Sequence, residues 1–406
     1  MPSKKRSSRN SLEDAFELRV DWCDMPSVND IATIAEALEK APVAIVKDRC
    51  VAVRNRNATC RACVHVCPNA VIDVAANDIT FEFSSCTGCG ACIAVCPTEA
   101  IIGLSPTDAD LSARLEDSTK ANDGACVIAC ARISSKRQAD PARYAEVPCL
   151  SRLDEVTLLE AVAHGAASVE LVDGVCSTCK YRDGIPHLDV TVAEANGLLE
   201  VQGSEVRVER SSAFPDAVLV EDASGLFGST RRGFFSDAVG AAKETALVAA
   251  KATIEQELGL KQAEVAIGER LRVGAGGSLP ILAMKRHMRA LDALDAINGE
   301  PDDREVTSRM FADVSLDLSR CNACGMCAVF CPSGAMKRDE AKKASDPLKH
   351  IEFLACECVN CGMCADVCWK GAISISNRIR ADKLFDFEPT VFSMKDAGHR
   401  KKTMFG

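Results

Sequence analysis

Fifteen of the chain's 23 cysteines repeat one spacing, and that spacing limits what the chain can fold into. The run is Cys-x2-Cys-x2-Cys-x3-Cys. It wraps the thiolates of one short segment around a compact inorganic centre, as in cubane iron–sulfur clusters. Zinc ribbons use separate Cys-x2-Cys pairs instead. Complete runs span residues 86–96, 321–331 and 358–368, and an incomplete run contains Cys60, Cys63 and Cys67.

The incomplete run has Asn57 where its leading cysteine belongs. An asparagine cannot supply a thiolate. Cys50 lies upstream across a short polar stretch and is the obvious replacement, with Cys23 or a non-cysteine group as the alternatives. We therefore predict that Cys50 is a ligand.

At these cysteines the chain resembles the bacterial two-cluster ferredoxin family, over about residues 45–105 and 312–378. In that family the first three cysteines of a run bind one cluster and the fourth binds its neighbour. The resemblance therefore implies four [4Fe-4S] clusters. Their ligands would be Cys50, Cys60, Cys63 and Cys96 (set A); Cys67, Cys86, Cys89 and Cys92 (set B); Cys321, Cys324, Cys327 and Cys368 (set C); and Cys331, Cys358, Cys361 and Cys364 (set D).

Proline and glycine accompany the runs. Proline follows the fourth cysteine in three of them, and its preset backbone angle leads us to expect a helix that opens there. Trp369 takes the proline position in the last run. Glycines fit loops in which the backbone approaches inorganic sulfur closely. The glycines concerned are Gly88, Gly90, Gly325 and Gly362.

The middle of the chain carries five further cysteines. An apolar run ending at Cys126 and Cys130 predicts a buried strand, and Cys149 precedes a helical pattern that stops at Gly165. A second strand over residues 168–174 precedes Cys176 and Cys179. Because open α/β sheets bind ligands at the carboxyl ends of their strands, we expect these cysteines to meet there.

Residues 147–155 and 165–184 resemble the iron–sulfur delta subunit of hydrogenase–heterodisulfide reductase complexes. That resemblance implies a [2Fe-2S] centre that relays electrons. The final cysteine pair is closer together here than in that family. Cys126, Cys130, Cys149, Cys176 and Cys179 are the candidate ligands of this fifth centre. A zinc site, a redox dithiol and structural cysteines are the alternatives.

Composition and charge exclude several classes of protein. A net charge of −10 argues against binding nucleic acid or an anionic membrane surface. The sequence has no apolar stretch long enough to span a bilayer and no export signal, so we expect a cytoplasmic protein without disulfides.

These patterns predict a multi-domain α+β protein in which two ferredoxin-like dicluster modules flank a small α/β segment and a helical connector. The connector would contain helices over residues 236–258 and 285–297. The predicted divisions are an extension (1–44), a dicluster module (45–110), the α/β segment (111–215), the connector (216–305), a second dicluster module (306–380) and a tail (381–406).

The motifs favour an electron-transfer subunit over an enzyme. Cubane clusters exchange single electrons, and the sequence shows no catalytic triad, nucleotide loop or flavin motif. We expect a redox partner such as a molybdopterin enzyme or a hydrogenase. Two other hypotheses are a thiol–disulfide or heterodisulfide-type reductase that uses the middle cysteines, and a redox-sensing or assembly factor.

Overall fold

The computed structural model describes residues 42–182, 185–220, 271, 273–274, 277–298, 303–338 and 350–394. These residues belong to one compact unit. Cys23, the predicted helix over 236–258 and most of the predicted N-terminal extension lie outside the described residues.

The N-terminal module, residues 42–104, is built from short elements around its cysteines. Strands β1 and β4 pair antiparallel, and β2 and β3 form a hairpin between them in the chain. Its helices have four or five residues each, too few to be stable alone. In chain order the elements are β1 (Val43–Ile45), α1 (Val51–Arg54), α2 (Ala62–His65), β2 (Ile72–Ala75), β3 (Asp78–Phe81), α3 (Ala91–Val95) and β4 (Ile101–Gly103).

The middle segment, residues 105–220, is a parallel sheet with helices. The strand order β6-β5-β7-β8 places β5 and β7 in the interior. Strand β5 is almost wholly buried, as expected of a parallel strand covered on both faces. The elements are α4 (Asp108–Ala121), β5 (Ala125–Cys130), α5 (Ala131–Ser134), β6 (Ala145–Val147), α6 (Glu155–Ala163), β7 (Ser168–Val172), α7 (Ile185–Val201) and β8 (Val208–Ser211).

One helix of the predicted connector, α8 (Lys285–Ile297), links the middle segment to the N-terminal module. Arg289 Nε donates to Glu160 of α6 at 2.6 Å. Arg286 Nη1 donates to the carbonyl oxygen of Ile93 in α3, also at 2.6 Å. The predicted bounds of this helix are confirmed.

The C-terminal module, residues 303–338 and 350–394, repeats the topology of the first. Strands β10 and β13 pair antiparallel and enclose the β11–β12 pair, just as β1 and β4 enclose β2 and β3. A further strand, β15, pairs with β12. The elements are β9 (Glu305–Thr307), β10 (Asp313–Leu316), α9 (Met326–Phe330), β11 (Met336–Arg338), β12 (His350–Phe353), α10 (Met363–Asp366), β13 (Ile373–Ser376), β14 (Arg378–Arg380) and β15 (Thr390–Ser393).

Two expectations were wrong in detail. The Cys-Pro turns do not open helices: α3 ends at Val95 and α9 ends at Phe330, and the cysteine that follows each helix has an extended backbone. The helix instead starts at a left-handed glycine before the third cysteine of the run, Gly90 or Gly325, because a residue with φ > 0 turns the loop into the helix. The predicted tail contains β15, so it contributes to the sheet.

Candidate metal centres

The structure gathers the cysteines of sets A and B into two neighbouring groups. Burial, together with the nearby thiols of Cys96, Cys60 and Cys50, raises the pKa of Cys63 to about 12. Burial likewise raises the pKa of Cys92, with contributions from three members of set B and from Cys63. Cys50 therefore lies with the three cysteines to which its sequence position assigns it.

Sets C and D form in the same way. Burial, together with the other set C thiols, raises the pKa of Cys327 to about 12. Burial also raises the pKa of Cys358, and the charge of the Cys331 thiol adds to that rise. Cys356 is buried elsewhere: the charges nearest its thiol are Glu357, Lys337 and Asp386. Cys358, rather than Cys356, therefore joins set D.

Backbone amides donate to the thiol sulfurs at matching positions of the two modules. The amide of Gly88 donates to Cys86 Sγ, and that of Ala323 donates to Cys321 Sγ, both at 3.4 Å. The fourth cysteine of a run accepts from the amide four residues later. The Ala100 amide donates to Cys96 Sγ at 3.2 Å, and the Ala372 amide donates to Cys368 Sγ at 3.3 Å. Such bonds stabilise thiolates and tune the potential of the cluster they bind. The residues present therefore fit cubane clusters.

The middle cysteines meet at the carboxyl end of the parallel sheet. Cys130 ends β5, Cys149 follows β6, and Cys176 and Cys179 follow β7. Together with Asp173 they line one small cavity. We call these four cysteines the middle set. They are the candidate ligands of a fifth centre, because thiols that share one cavity require a cation to offset their charge once they ionise.

Cys126 does not join them. It lies four residues before Cys130 on β5, about 13 Å along the strand, and its Sγ is 3.9 Å from the Leu115 carbonyl oxygen. It is completely buried, in the core beneath α4. We leave Cys126 out of the proposed centre, because a small buried cysteine packs like any apolar residue.

In the middle set a carboxylate, Asp173, is hydrogen-bonded to one of the candidate ligands. Burial, the charge of Asp173 and the hydrogen bond between that carboxylate and the thiol together raise the pKa of Cys176 to about 12. The Cys176 Sγ donates to Asp173 Oδ2 at 3.5 Å, and Asp173 also pairs with Arg210. A metal that binds here must therefore displace a firmly held proton.

The middle set lies against set B. Cys89 and Cys149 belong to one apolar cluster together with Ala91, and Tyr181 packs on it. Tyr181 Oη donates to the carbonyl oxygen of Thr87, inside the set B loop, at 2.9 Å. The Cys149 thiol is also among the charges that raise the pKa of Cys89 to about 11, after burial.

Set A lies against set D, across the boundary between the two modules. Asp366 accepts hydrogen bonds from the Thr59 amide at 2.8 Å and from Thr59 Oγ1 at 2.9 Å. Cys361 packs against the same apolar cluster as Cys60, and the Cys60 thiol adds to the effect of burial in raising the pKa of Cys361. Sequence reasoning missed this contact, since the two residues that it joins lie in different modules.

Comparison with protein families agrees with this arrangement. The model of the 4Fe-4S dicluster domain matches residues 58–100 and 320–381. The model of the delta subunit of methyl-viologen-reducing hydrogenase matches residues 121–217. The protein therefore carries ferredoxin-type iron–sulfur dicluster domains at two places, with a hydrogenase delta-subunit domain between them. The first match begins after Cys50, so the role of Cys50 stays a prediction.

No curated protein and no solved structure matched the chain significantly. Among the described residues, no helix has both the length and the apolar character needed to cross a bilayer. Within the same residues, no three His, Cys, Asp or Glu side chains form a site for a single metal ion.

Replacing Cys50 tests its assignment. Cys50→Ser should remove about one iron, converting the set A cubane to a three-iron form, because only three thiolates remain in that set. The measurement is iron content together with low-temperature EPR of the oxidised protein, in which a three-iron cluster has its own signal.

Cys126→Ser is the matched control, since it also removes a buried thiol and should leave every cluster intact. An unchanged iron content and EPR spectrum in Cys50→Ser, with Cys23→Ser producing the three-iron signal, would show that Cys23 is the fourth ligand of the set A cluster.

Proposed function

We propose that this protein relays single electrons between redox partner proteins through four [4Fe-4S] clusters and a fifth centre at the middle set. The supporting observation is the order of contacts. The middle set lies against set B, and set A lies against set D. Within each module the two sets are also neighbours: the Cys63 thiol adds to the effect of burial in raising the pKa of Cys92, and the Cys327 thiol does the same for Cys364. The five centres thus form one unbranched line: middle set, B, A, D, C.

The two ends of that line reach the surface. Cys324 of set C is exposed, and Cys176 and Cys179 of the middle set are half-exposed. By contrast, Cys364 of set D and Cys92 and Cys96 of sets B and A are buried. Partners would therefore exchange electrons at the ends.

The chain's contribution is to hold the centres in place and to set their electrostatic surroundings. Bound clusters supply one-electron exchange. Amides that donate to sulfur favour the negatively charged thiolates, and apolar residues around the sets keep water away. The delta-subunit domain favours a hydrogenase-type complex as the partner, in a reducing compartment such as the cytoplasm.

At the middle set we favour a [2Fe-2S] centre over zinc, because the set occupies one end of the line. A zinc ion has no redox chemistry and would leave that end inactive. The delta-subunit match covers all four of its cysteines, at positions 130, 149, 176 and 179.

The experiment loads the full-length protein anaerobically with iron and sulfide. Sixteen irons are expected from four cubanes, with about two more from a [2Fe-2S] centre. The loaded protein should then carry electrons from reduced methyl viologen to an oxidised ferredoxin. Saturation near eight irons in folded protein would contradict the four-cluster proposal. Tightly bound zinc in place of the extra irons would exclude the middle set from the relay, which would then begin at set B.

A cleft beside the middle set favours a second candidate function, disulfide reduction. It has a volume of about 550 Å³ and is bordered by Cys179, Arg114, Arg132 and Lys180. That volume would admit a small molecule, and the cations would attract an anionic one. Reduced protein that consumes a small anionic disulfide catalytically, and no longer does so as Cys179→Ser, would favour the reductase.

A further inference from the structure

Two charged side chains cross the boundary between the dicluster modules, each toward a cluster that its own module does not hold. Arg54 belongs to the N-terminal module and lies near set D. Asp366 belongs to the C-terminal module and lies near set A. Their charges are opposite, so they act in opposite senses on the two clusters between which an electron must cross.

Arg54 is buried, with 4% of its surface exposed. Its Nη2 donates to the Pro280 carbonyl oxygen at 2.7 Å. The segment around Pro280 is fixed to the C-terminal module by amides that donate to the carbonyl oxygens of Val329 and Pro332 at 2.9 and 2.8 Å. These carbonyls flank Cys331 of set D in the chain. The hydrogen bonds therefore hold the guanidinium beside that set.

The guanidinium keeps its charge there. Burial lowers the pKa of Arg54, while Asp48 and the thiols of Cys331 and Cys361 raise it. Arginine stays protonated in proteins, so the group remains a cation. Among the residues that the structure describes, its Nε–H has no hydrogen-bond acceptor. A cluster at set D would supply negative charge beside it.

Asp366 lies on the other side of the boundary between the two dicluster modules, near set A. Both of its carboxylate oxygens accept hydrogen bonds from Thr59, whose neighbour in the chain is Cys60 of set A. The carboxylate thus opposes any additional negative charge on set A.

We propose that Arg54 and Asp366 direct the electron step between the modules from set A to set D. This rests on the proposed relay. Reduction adds one negative charge to a cluster, which a nearby cation stabilises and a nearby anion destabilises. In the step, set A's cluster is oxidised by one electron and set D's cluster is reduced by one, with no bond broken and no proton moved. Electrons then enter at the middle set and leave at set C.

The test is a redox titration of the fully loaded protein, followed by EPR. Each signal is assigned with one Cys→Ser variant per ligand set. Arg54→Gln should lower the potential of the set D cluster, and Asp366→Asn should raise that of set A relative to set D. Each change should alter the distribution of an electron between the two clusters at least tenfold, which is about 59 mV for a one-electron couple. Arg54→Lys retains the charge and should restore most of the set D potential.

The exposed pair Lys47 and Asp78 in the N-terminal module supplies matched controls. Lys47→Gln and Asp78→Asn change the net charge equally but should leave all four potentials unchanged, because water screens them. Unchanged set A and D potentials in Arg54→Gln and Asp366→Asn, with all clusters present, would overturn the proposal while leaving the relay intact. If Arg54→Gln does not fold, the Asp366→Asn variant alone tests the proposal. Asp366 is partly exposed and asparagine has nearly the same shape as aspartate, so this variant should fold. Missing clusters in the unmodified protein would instead contradict the relay itself.

Discussion

Removing the iron is expected to unfold both dicluster modules while the parallel sheet between them stays folded. The modules have helices of four or five residues and strands of three or four, and their cores contain the ligand cysteines. Without metal these thiols are buried polar groups, and the metal–thiolate bonds that fix the loops are lost. The loss should exceed the roughly 5–15 kcal/mol by which domains are stable.

Hydrogen exchange measured on the anaerobic protein, before and after chelation of reduced iron, tests this. Amides of the β2–β3 and β10–β13 pairs should lose their protection. Those of β5 and β7 should keep it, because the large apolar core around them contains few cysteines. A control with chelator but intact, oxidised clusters should show no change. Persistent protection of β2–β3 in iron-free protein would show that the modules fold without clusters.

The cysteine runs were sufficient to predict the local chemistry, because three ligands of each cluster come from one short segment. The same locality explains why β5, α6, β7 and α8 could be predicted: each has a clear apolar pattern. Helix α7 was missed. It starts beside Pro186 and contains Gly197, both poor helix formers in a helix interior, but proline is tolerated in the first turn. Packing on α6 and β8 then supports the helix.

Contacts between distant segments could not be read from the sequence. Thr59 and Asp366 are 307 residues apart, and although each lies beside cysteines of a run, nothing in the two runs indicates that they meet. Arg54 stands in the polar stretch after Cys50, which resembles an ordinary solvated loop. In the structure it is buried because the segment around Pro280 covers it. The sequence also could not show that Cys126 and Cys130 lie apart. They are only four residues apart in the chain, but in an extended strand four residues place their side chains far from each other.

Breaking the buried ion pair between Arg309 and Glu155 is expected to cost about 3–5 kcal/mol of unfolding free energy at pH 8. Glu155 opens α6 and is fully buried. Arg309 Nη2 donates to its Oε2 at 3.1 Å, and the Arg309 amide donates to Glu194 at 2.7 Å. Arg309→Met would leave Glu155 as an uncompensated charge in the interior.

The same loss should shrink as the pH falls. Burial raises the pKa of Glu155, with Arg309 opposing it, and burial raises the pKa of Glu194 to about 7. Carboxyls with raised pKa values bind more protons in the folded than in the unfolded state, so their stability contribution is present below about pH 4.5 and is lost as the pH rises through 7. Arg309→Met raises the folded pKa of Glu155 further. The variant should therefore be closest to wild type near pH 6 and weakest near pH 8.

Guanidinium unfolding of the loaded protein under anaerobic conditions, at both pH values, measures this difference. Arg304→Met is the matched control, because its partner Glu200 is about half exposed and such surface pairs contribute less than about 1 kcal/mol. Equal losses of unfolding free energy in the two variants would show that the ion pair between Arg309 and Glu155 is not desolvated. A loss in Arg309→Met that grows toward pH 6 would show that Glu155 takes up no proton when its cation is removed, so that burial does not govern its charge.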